Sequence, residues 1–173
     1  MRLHVPSRAG LAITSLLGLA ITPVAAEPVV ERTEAFSGWT LYVDAETPHL
    51  FCFVTSEPKS TAPSGASREA PRAYISAWPK DGVKSEVSFR MGFPVKASTP
   101  GAARVEPASF SLFGAKDRAF VSDAVQELKL VEAMRKGSEM TVVVTSERGT
   151  VVTDTYSLGG LGQALEKLRE TCF

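Results

Sequence analysis

Residues 140–156 read MTVVVTSERGTVVTDTY, and this stretch decides the fold class. Met140, Val142 and Val144 alternate with threonine and valine, which is the period of a half-buried β-strand. The polar residues 146–149, SERG, then reverse the chain into a second β-branched run that ends at Tyr156. The stretch therefore predicts two antiparallel strands joined by a tight turn.

The same alternation recurs outside this hairpin, in segments rich in β-branched and aromatic residues. About eight candidate strands result: residues 39–43, 50–55, 73–78, 87–91, 108–113, 118–121, 140–145 and 150–156. Because strands and helices do not alternate regularly along the chain, a doubly wound parallel sheet is disfavoured. The pattern predicts a mostly β fold, an antiparallel β-sandwich of about eight strands with two short helices, one of them C-terminal.

The two predicted helices are marked by apolar residues at helical spacing. The first spans Ala124–Lys136, with Asp123 as its N-cap and Gly137 as its stop. Its predicted buried face carries Val125, Leu128, Val131 and Met134. On the C-terminal helix one face carries Leu161, Ala164, Leu165, Leu168 and Cys172. The glycines of GGLG at residues 159–162 lack the spacing of a phosphate-binding loop, so we interpret them as a tight turn or a close packing of helix on strand.

The first 26 residues have the layout of a secretory signal peptide. Arg2 and Arg8 precede the apolar run 9–21, and the small residues 24–26, VAA, suit signal peptidase. We expect cleavage near Ala26, which leaves residues 27–173 as a single β-rich domain in the periplasm or outside the cell. The apolar run is shorter than the roughly 20 residues needed to span a bilayer, so no stable membrane span is expected.

Export determines how the two cysteines are interpreted. In an oxidising compartment, Cys52 and Cys172 most simply form one structural disulfide. The alternative is two free thiols, one of them reactive, but a nucleophilic cysteine needs a neighbouring base. The segment Ser56–Arg72 is rich in proline and serine and has no apolar period, so it predicts a mobile, solvated surface loop between two strands.

Composition and residue types exclude several functions. The chain has 19 Lys and Arg residues in total and 19 Asp and Glu residues. Removal of Arg2 and Arg8 with the signal leaves 17 basic side chains against 19 acidic ones. A nucleic-acid partner is not expected, because binding to phosphates requires an excess of basic side chains. The remaining histidine, His49, lies in a predicted turn, and we interpret it as a solvated side chain rather than a catalytic base. Too few ligands remain for a tight metal site, and no motif for a cofactor is present.

Several residues together carry a resemblance to a known family. They are Gly38-Trp39 at the start of a strand, the early Cys52, Lys136-Gly137 after the first helix, and the closing pattern Ser157-Leu158-x-Gly160, Ala164-Leu165, Leu168 and Cys172. This set resembles the invasion-associated locus B family. Members are small exported proteins of alphaproteobacteria with a β-rich fold, named after a role in invasion of host cells. The resemblance implies no enzymatic activity, no cofactor and no catalytic residues to carry over.

We therefore hypothesise an exported, non-enzymatic protein of the cell envelope or surface that binds an envelope or host protein, with host-cell interaction or invasion as the implied role. Trp39 and Trp78 are the candidate binding residues. The alternative is that both are core residues, because both are in phase with apolar strand positions. Two other functions stay open: a periplasmic hydrolase with a carboxylate pair in a cleft, and a small-ligand carrier with a closed apolar cavity.

Overall fold

The computed structural model describes residues 30–45, 50–65 and 68–173, which contain eleven strands and two α-helices. The strands are β1 (Val30–Phe36), β2 (Trp39–Asp44), β3 (Cys52–Ser56), β4 (Ser60–Ala62), β5 (Arg72–Trp78), β6 (Val83–Arg90), β7 (Gly101–Val105), β8 (Ala108–Ala115), β9 (Arg118–Val121), β10 (Glu139–Thr145) and β11 (Val151–Ser157). The helices are α1 (Ala124–Lys136) and α2 (Leu161–Cys172). Within this described part, no helix is both long enough and apolar enough to cross a bilayer.

The described strands join into one open antiparallel sheet, in the order β1-β2-β3-β5-β6-β9-β8-β7-β10-β11-β4. The hairpin predicted from residues 140–156 is present as β10 and β11, paired without a break from Glu139 opposite Ser157 to Thr145 opposite Val151. The mostly β, antiparallel fold with a C-terminal helix is thus confirmed. The sequence did not predict β1, β4 or β7, and hydrogen bonds join all eleven strands into one sheet where a sandwich would have two.

The sheet curves over its own core. Strands β2 and β11 are far apart in the sheet order, yet the indole Nε1–H of Trp39 on β2 donates to the carbonyl oxygen of Ser157 on β11 at 3.0 Å. The rings of Phe89 on β6 and Tyr156 on β11 lie 6.4 Å apart between centroids. Inward-facing residues from both halves of the sheet and from both helices form one hydrophobic cluster.

Helix α2 packs on β2 and β3. All five residues of its predicted apolar face are buried: Leu161, Ala164, Leu165, Leu168 and Cys172. Its N-cap, Gly160, has a φ of 86°, and a Cβ at this position would lie 2.2 Å from the carbonyl oxygen of Phe36. Only glycine allows this approach of the helix to the end of β1, which confirms the close-packing interpretation.

Helix α1 has the predicted N-cap but a different buried face. The Oδ1 of Asp123 accepts hydrogen bonds from the backbone N–H groups of the first turn, at 3.0 and 2.9 Å. The prediction that Val125 and Leu128 are buried is wrong, since they are 61% and 62% exposed, whereas Met134 is buried as predicted. Leu130, outside the predicted face, is buried as well. The helix is turned so that Glu127 accepts a 2.7 Å hydrogen bond from the backbone of β6, in a stretch of β6 beyond its pairing with β9.

Candidate functional site

The outer face of the sheet, opposite the core, carries a cluster of aromatic side chains. On β5, Ala73 and Ile75 are buried in the core, so strand alternation places Tyr74 and Trp78 on the outer face. Neighbouring strands add rings at the same phase, and each ring is half-buried. We call this cluster the aromatic surface; its members are Tyr42, Phe51, Phe53, Tyr74, Trp78 and Phe120.

Phe53 lies at the centre of the aromatic surface. Its ring stacks on Tyr42 at 5.1 Å and lies 5.4 Å from Phe51 and 5.8 Å from Tyr74, measured between centroids. Phe51 in turn stacks on Trp78 at 4.0 Å. These separations lie at or near the range in which aromatic pairs attract each other beyond their buried area, so the rings support one another while leaving one side open to solvent.

Polar groups lie among the rings. The guanidinium of Arg118 lies 5.1 Å from the ring centroid of Tyr74, and its Nη1 donates to the Oγ of Ser88 at 3.3 Å. Glu86 lines the same groove, which has a volume of about 380 Å³. Half-buried aromatic rings with a few fixed polar groups are the composition found at the centre of protein interfaces.

The two tryptophans predicted as binding candidates have different positions. Trp39 is fully buried, and its indole hydrogen bond to Ser157 connects β2 to β11, so it offers no surface to a ligand. Trp78 lies on the outer face, out of phase with the buried apolar residues of β5, and stacks on Phe51. The sequence analysis did not identify the other rings of the aromatic surface. In the sequence they could have been recognised as aromatic residues at the strand positions that alternate with the buried ones.

The predicted disulfide is present between Cys52 and Cys172, with the two Cα atoms 6.5 Å apart. Both cysteines are buried. The bond ties α2 to β3, the strand that carries Phe53 at the centre of the aromatic surface. No free cysteine occurs in the part of the chain that the structure describes.

Residues 57–65 and 68–71, which we call the strap, are mostly exposed, as predicted for a surface connection between two strands, but they include a short strand, β4, that the sequence did not predict. The strap leaves β3, forms β4 on the far edge of β11, and returns to β5 beside β3. The backbone N–H of Lys59 adds a hydrogen bond to the carbonyl oxygen of Thr155 at 2.8 Å. The strap thus covers the backbone edge that β11 would otherwise expose.

A buried ion pair fastens the strap to the sheet. The carboxylate of Asp154 on β11 has no exposed side-chain surface, and the side chain of Arg68 is only 6% exposed. Both terminal nitrogens of Arg68 donate to this carboxylate, and the hydroxyl of Thr61 donates to it at 2.8 Å. Arg68 Nη1 also donates to the carbonyl oxygen of Met91 at 2.9 Å. A buried charge held this way fixes the geometry of the segment that carries it.

Comparisons with known proteins decide the family. A model of the invasion associated locus B (IalB) protein family matches residues 82–169, just over half of the chain. The chain belongs to the IalB family. This IalB-family chain also matches the crystal structure of invasion associated protein B from Bartonella henselae, with a TM-score of 0.56 and 17% identity over 82% of this chain and 96% of that one. That likeness shows the shared fold. A search of curated proteins finds no match.

The family match covers only part of the aromatic surface. It runs from the turn before β6 through most of α2, so it includes Phe120 and Arg118 of the aromatic surface and its groove. The rings contributed by β2, β3 and β5 precede the matched range. The aromatic surface of this IalB-family chain is therefore a feature found in its own structure rather than one transferred from the family.

The carboxylates of Glu127 and Asp154, which a hydrolytic pair would need free, are each held by a hydrogen-bond donor. Burial raises the pKa of Glu127, the hydrogen bond from the backbone N–H of Val87 opposes that rise, and the charge of Glu86 adds to it. The Oε1 of Glu127 is thus engaged by the β6 backbone. The buried carboxylate of Asp154 is bound to Arg68. Among the described residues of this IalB-family chain, no group of three or more His, Cys, Asp or Glu could hold a metal ion.

The remaining predicted features are a ligand cavity, His49 and the signal peptide. A groove of about 590 Å³ between α1 and α2, lined by Leu165, Leu168 and Phe173, is open to solvent and flanked by charged side chains, unlike the closed apolar cavity of a carrier. His49 and the signal segment 1–26 lie outside the described residues.

Proposed function

We propose that this chain is an exported, non-enzymatic protein of the cell envelope or surface that binds another protein through the aromatic surface. The observation that carries the proposal is the set of six half-buried rings on the outer face of the sheet, centred on Phe53. Aromatic side chains dominate the energetics of protein interfaces because they bury a large area at little cost in conformational entropy.

The shape of the site favours a protein over a small molecule. The rings extend across β2, β3, β5 and β9, so the surface is broad and open rather than enclosed. Small-ligand sites bury most of their ligand in a concave pocket. Arg118 and Glu86 at the groove supply both signs of charge, which suits the mixed polar groups of a polypeptide.

Export and host interaction belong to the same proposal. The disulfide supports an oxidising compartment, which is the periplasm or the cell exterior, reached after removal of residues 1–26. The Bartonella henselae protein that shares the fold is described as invasion associated. We propose a host-cell surface or envelope protein as the partner, with a role in host interaction.

The test is affinity capture from host-cell surface and bacterial envelope fractions with the mature, oxidised protein as bait. Its mass should show a start at Glu27 and an intact disulfide. The double variant Phe53→Ser/Trp78→Ser removes the centre of the aromatic surface; the matched control, Val125→Ser/Leu128→Ser, removes two exposed apolar residues from α1. Circular dichroism should confirm that both variants are folded.

We expect a protein captured by the wild type and by the α1 control but reduced at least tenfold with the Phe53/Trp78 variant, since loss of a central interface aromatic costs on the order of 2 kcal/mol or more. Equal capture by all three proteins would refute the aromatic surface as the binding site. Loss of capture with the α1 control alone would place the site on α1 instead.

A further inference from the structure

A polar pocket of about 400 Å³ adjoins the aromatic surface on the same outer face. Tyr42 belongs to both, because it lines this pocket and stacks on Phe53. We call it the hydroxyl pocket. Its lining includes three charged residues and two threonines: Arg32, Glu57, Arg72, Thr40 and Thr55. They come from β1, β2, β3, the start of the strap and β5, so the pocket lies where the edge of the sheet meets the strap.

Thr55 has an unsatisfied hydroxyl in this pocket. Its residue is 3% exposed, and its Oγ1 is buried without a hydrogen-bond partner among the described residues. Leaving a buried polar atom unpaired is costly, and native structures rarely do so without a reason. A ligand oxygen entering the pocket would supply the missing partner.

The charges of the pocket favour an anion. Arg72 pairs with the partly exposed carboxylate of Glu57, whereas Arg32 makes no ion pair with any residue that the structure describes. The pocket lining therefore holds two guanidinium groups against one carboxylate. Guanidinium groups and a free hydroxyl together match a carboxylate, which accepts hydrogen bonds on both oxygens.

The spacing along β3 specifies the form of the ligand. Phe53 and Thr55 lie two residues apart on the same outer face, which separates them by about 6.6–6.8 Å along the strand. In an extended peptide, side chains two residues apart are separated by the same distance and point the same way. A peptide aligned with β3 can thus place one side chain on the aromatic surface and the next same-face side chain over the hydroxyl pocket.

We propose that the partner segment is an extended peptide with an acidic side chain two residues from an aromatic or aliphatic one. The acidic group enters the hydroxyl pocket, where it meets Thr55 and the guanidinium groups, and the apolar group packs on the aromatic surface beside Phe53. This inference rests on the proposed function and adds the chemical class of its partner.

The test is selection of random heptapeptides displayed on phage against the oxidised wild-type protein. The same peptide library is selected in parallel against two variants of the protein. One is Thr55→Val/Arg32→Gln, which leaves the ion pair of Arg72 intact, and the other is Trp78→Ser. Wild type should enrich peptides with Asp or Glu two positions from an aromatic or aliphatic residue. The Thr55/Arg32 variant should keep the apolar preference and lose the acidic one, and Trp78→Ser should lose the enrichment.

Affinities of the enriched peptide, made synthetically, give the quantitative test. Replacing its acidic residue by the amide should weaken binding to wild type about tenfold, as expected for a charged hydrogen bond, and binding to the Thr55/Arg32 variant less than twofold. Enriched peptides that depend on Trp78 but lack the acidic residue would overturn this inference and leave the proposed function standing. Enrichment indifferent to Trp78→Ser, or none at all, would overturn the proposed function as well.

Discussion

Replacing Arg68 by methionine should lower the free energy of unfolding by about 3–5 kcal/mol, because it leaves the buried carboxylate of Asp154 without its cation. Methionine keeps most of the apolar stem of the arginine, so the effect reports the charge and its hydrogen bonds. Asp154 would retain the bond from Thr61 and lose the two from the guanidinium, and the carbonyl of Met91 would lose its donor.

Two further variants make this prediction specific. In Arg68→Met/Asp154→Asn the stranded charge is gone, so the double variant should be more stable than Arg68→Met alone by roughly 2 kcal/mol. The matched control is Arg72→Met, at the start of β5 directly after the strap. Its ion pair with Glu57 is partly exposed, so its loss should cost no more than about 1 kcal/mol.

Urea unfolding at neutral pH, followed by circular dichroism, measures all four proteins. The midpoint should fall most for Arg68→Met, less for the double variant and least for Arg72→Met. If Arg68→Met and Arg72→Met lose the same small amount, or if the double variant is no more stable than Arg68→Met, the strap is not held by a buried charge and the reasoning fails.

Two other predictions concern the disulfide and Glu127. The variant Cys52→Ala/Cys172→Ala removes a bond between residues separated by 120 positions, and the chain-entropy relation gives such a bond a stabilisation of about 5 kcal/mol at most. Calorimetry should therefore show a Tm lower by roughly 10–20 °C, and a decrease of under about 3 °C would contradict this prediction. Burial raises the pKa of Glu127 above its ordinary 4.5, so its contribution to stability is present below that pH and is lost as pH rises through the folded-state pKa. In Glu127→Gln the free energy of unfolding should therefore fall less steeply above pH 4.5 than in wild type, with a difference of less than about 1 kcal/mol because the side chain is partly exposed. Unfolding curves of wild type and variant from pH 4 to 8 test this prediction, and parallel pH profiles would refute it.

Strands with a strict period of two were predictable because each presents one face to the core. The β10–β11 hairpin and the buried face of α2 are confirmed residue by residue. Strand β4 was not predictable, since its three residues have no apolar pattern and pair only because β11 presents a free backbone edge nearby. Strand β1 has almost no buried residue, so hydrophobic periodicity gives no signal for it.

The site was less predictable than the fold, because it depends on which phase of each strand faces outward. Ile75 and Trp78 are both apolar, yet they lie three residues apart and therefore face opposite sides of the strand, and apolar character alone does not reveal which of them faces outward. Val125 and Leu128 show the same ambiguity on α1: apolar spacing predicts a buried face, but the hydrogen bond from β6 to Glu127 turns the helix. A long-range contact decided the orientation in the helix.

The position of the disulfide in the chain orders the events of folding. Cys172 follows every described strand and ends α2, whereas Cys52 begins β3. During synthesis from the N-terminus, the native covalent link cannot form until all eleven strands and both helices have been made. Formation of the bond therefore shows that every described strand and helix has been made, and a product truncated before α2 would carry a single unpaired thiol that oxidoreductases and proteases can recognise.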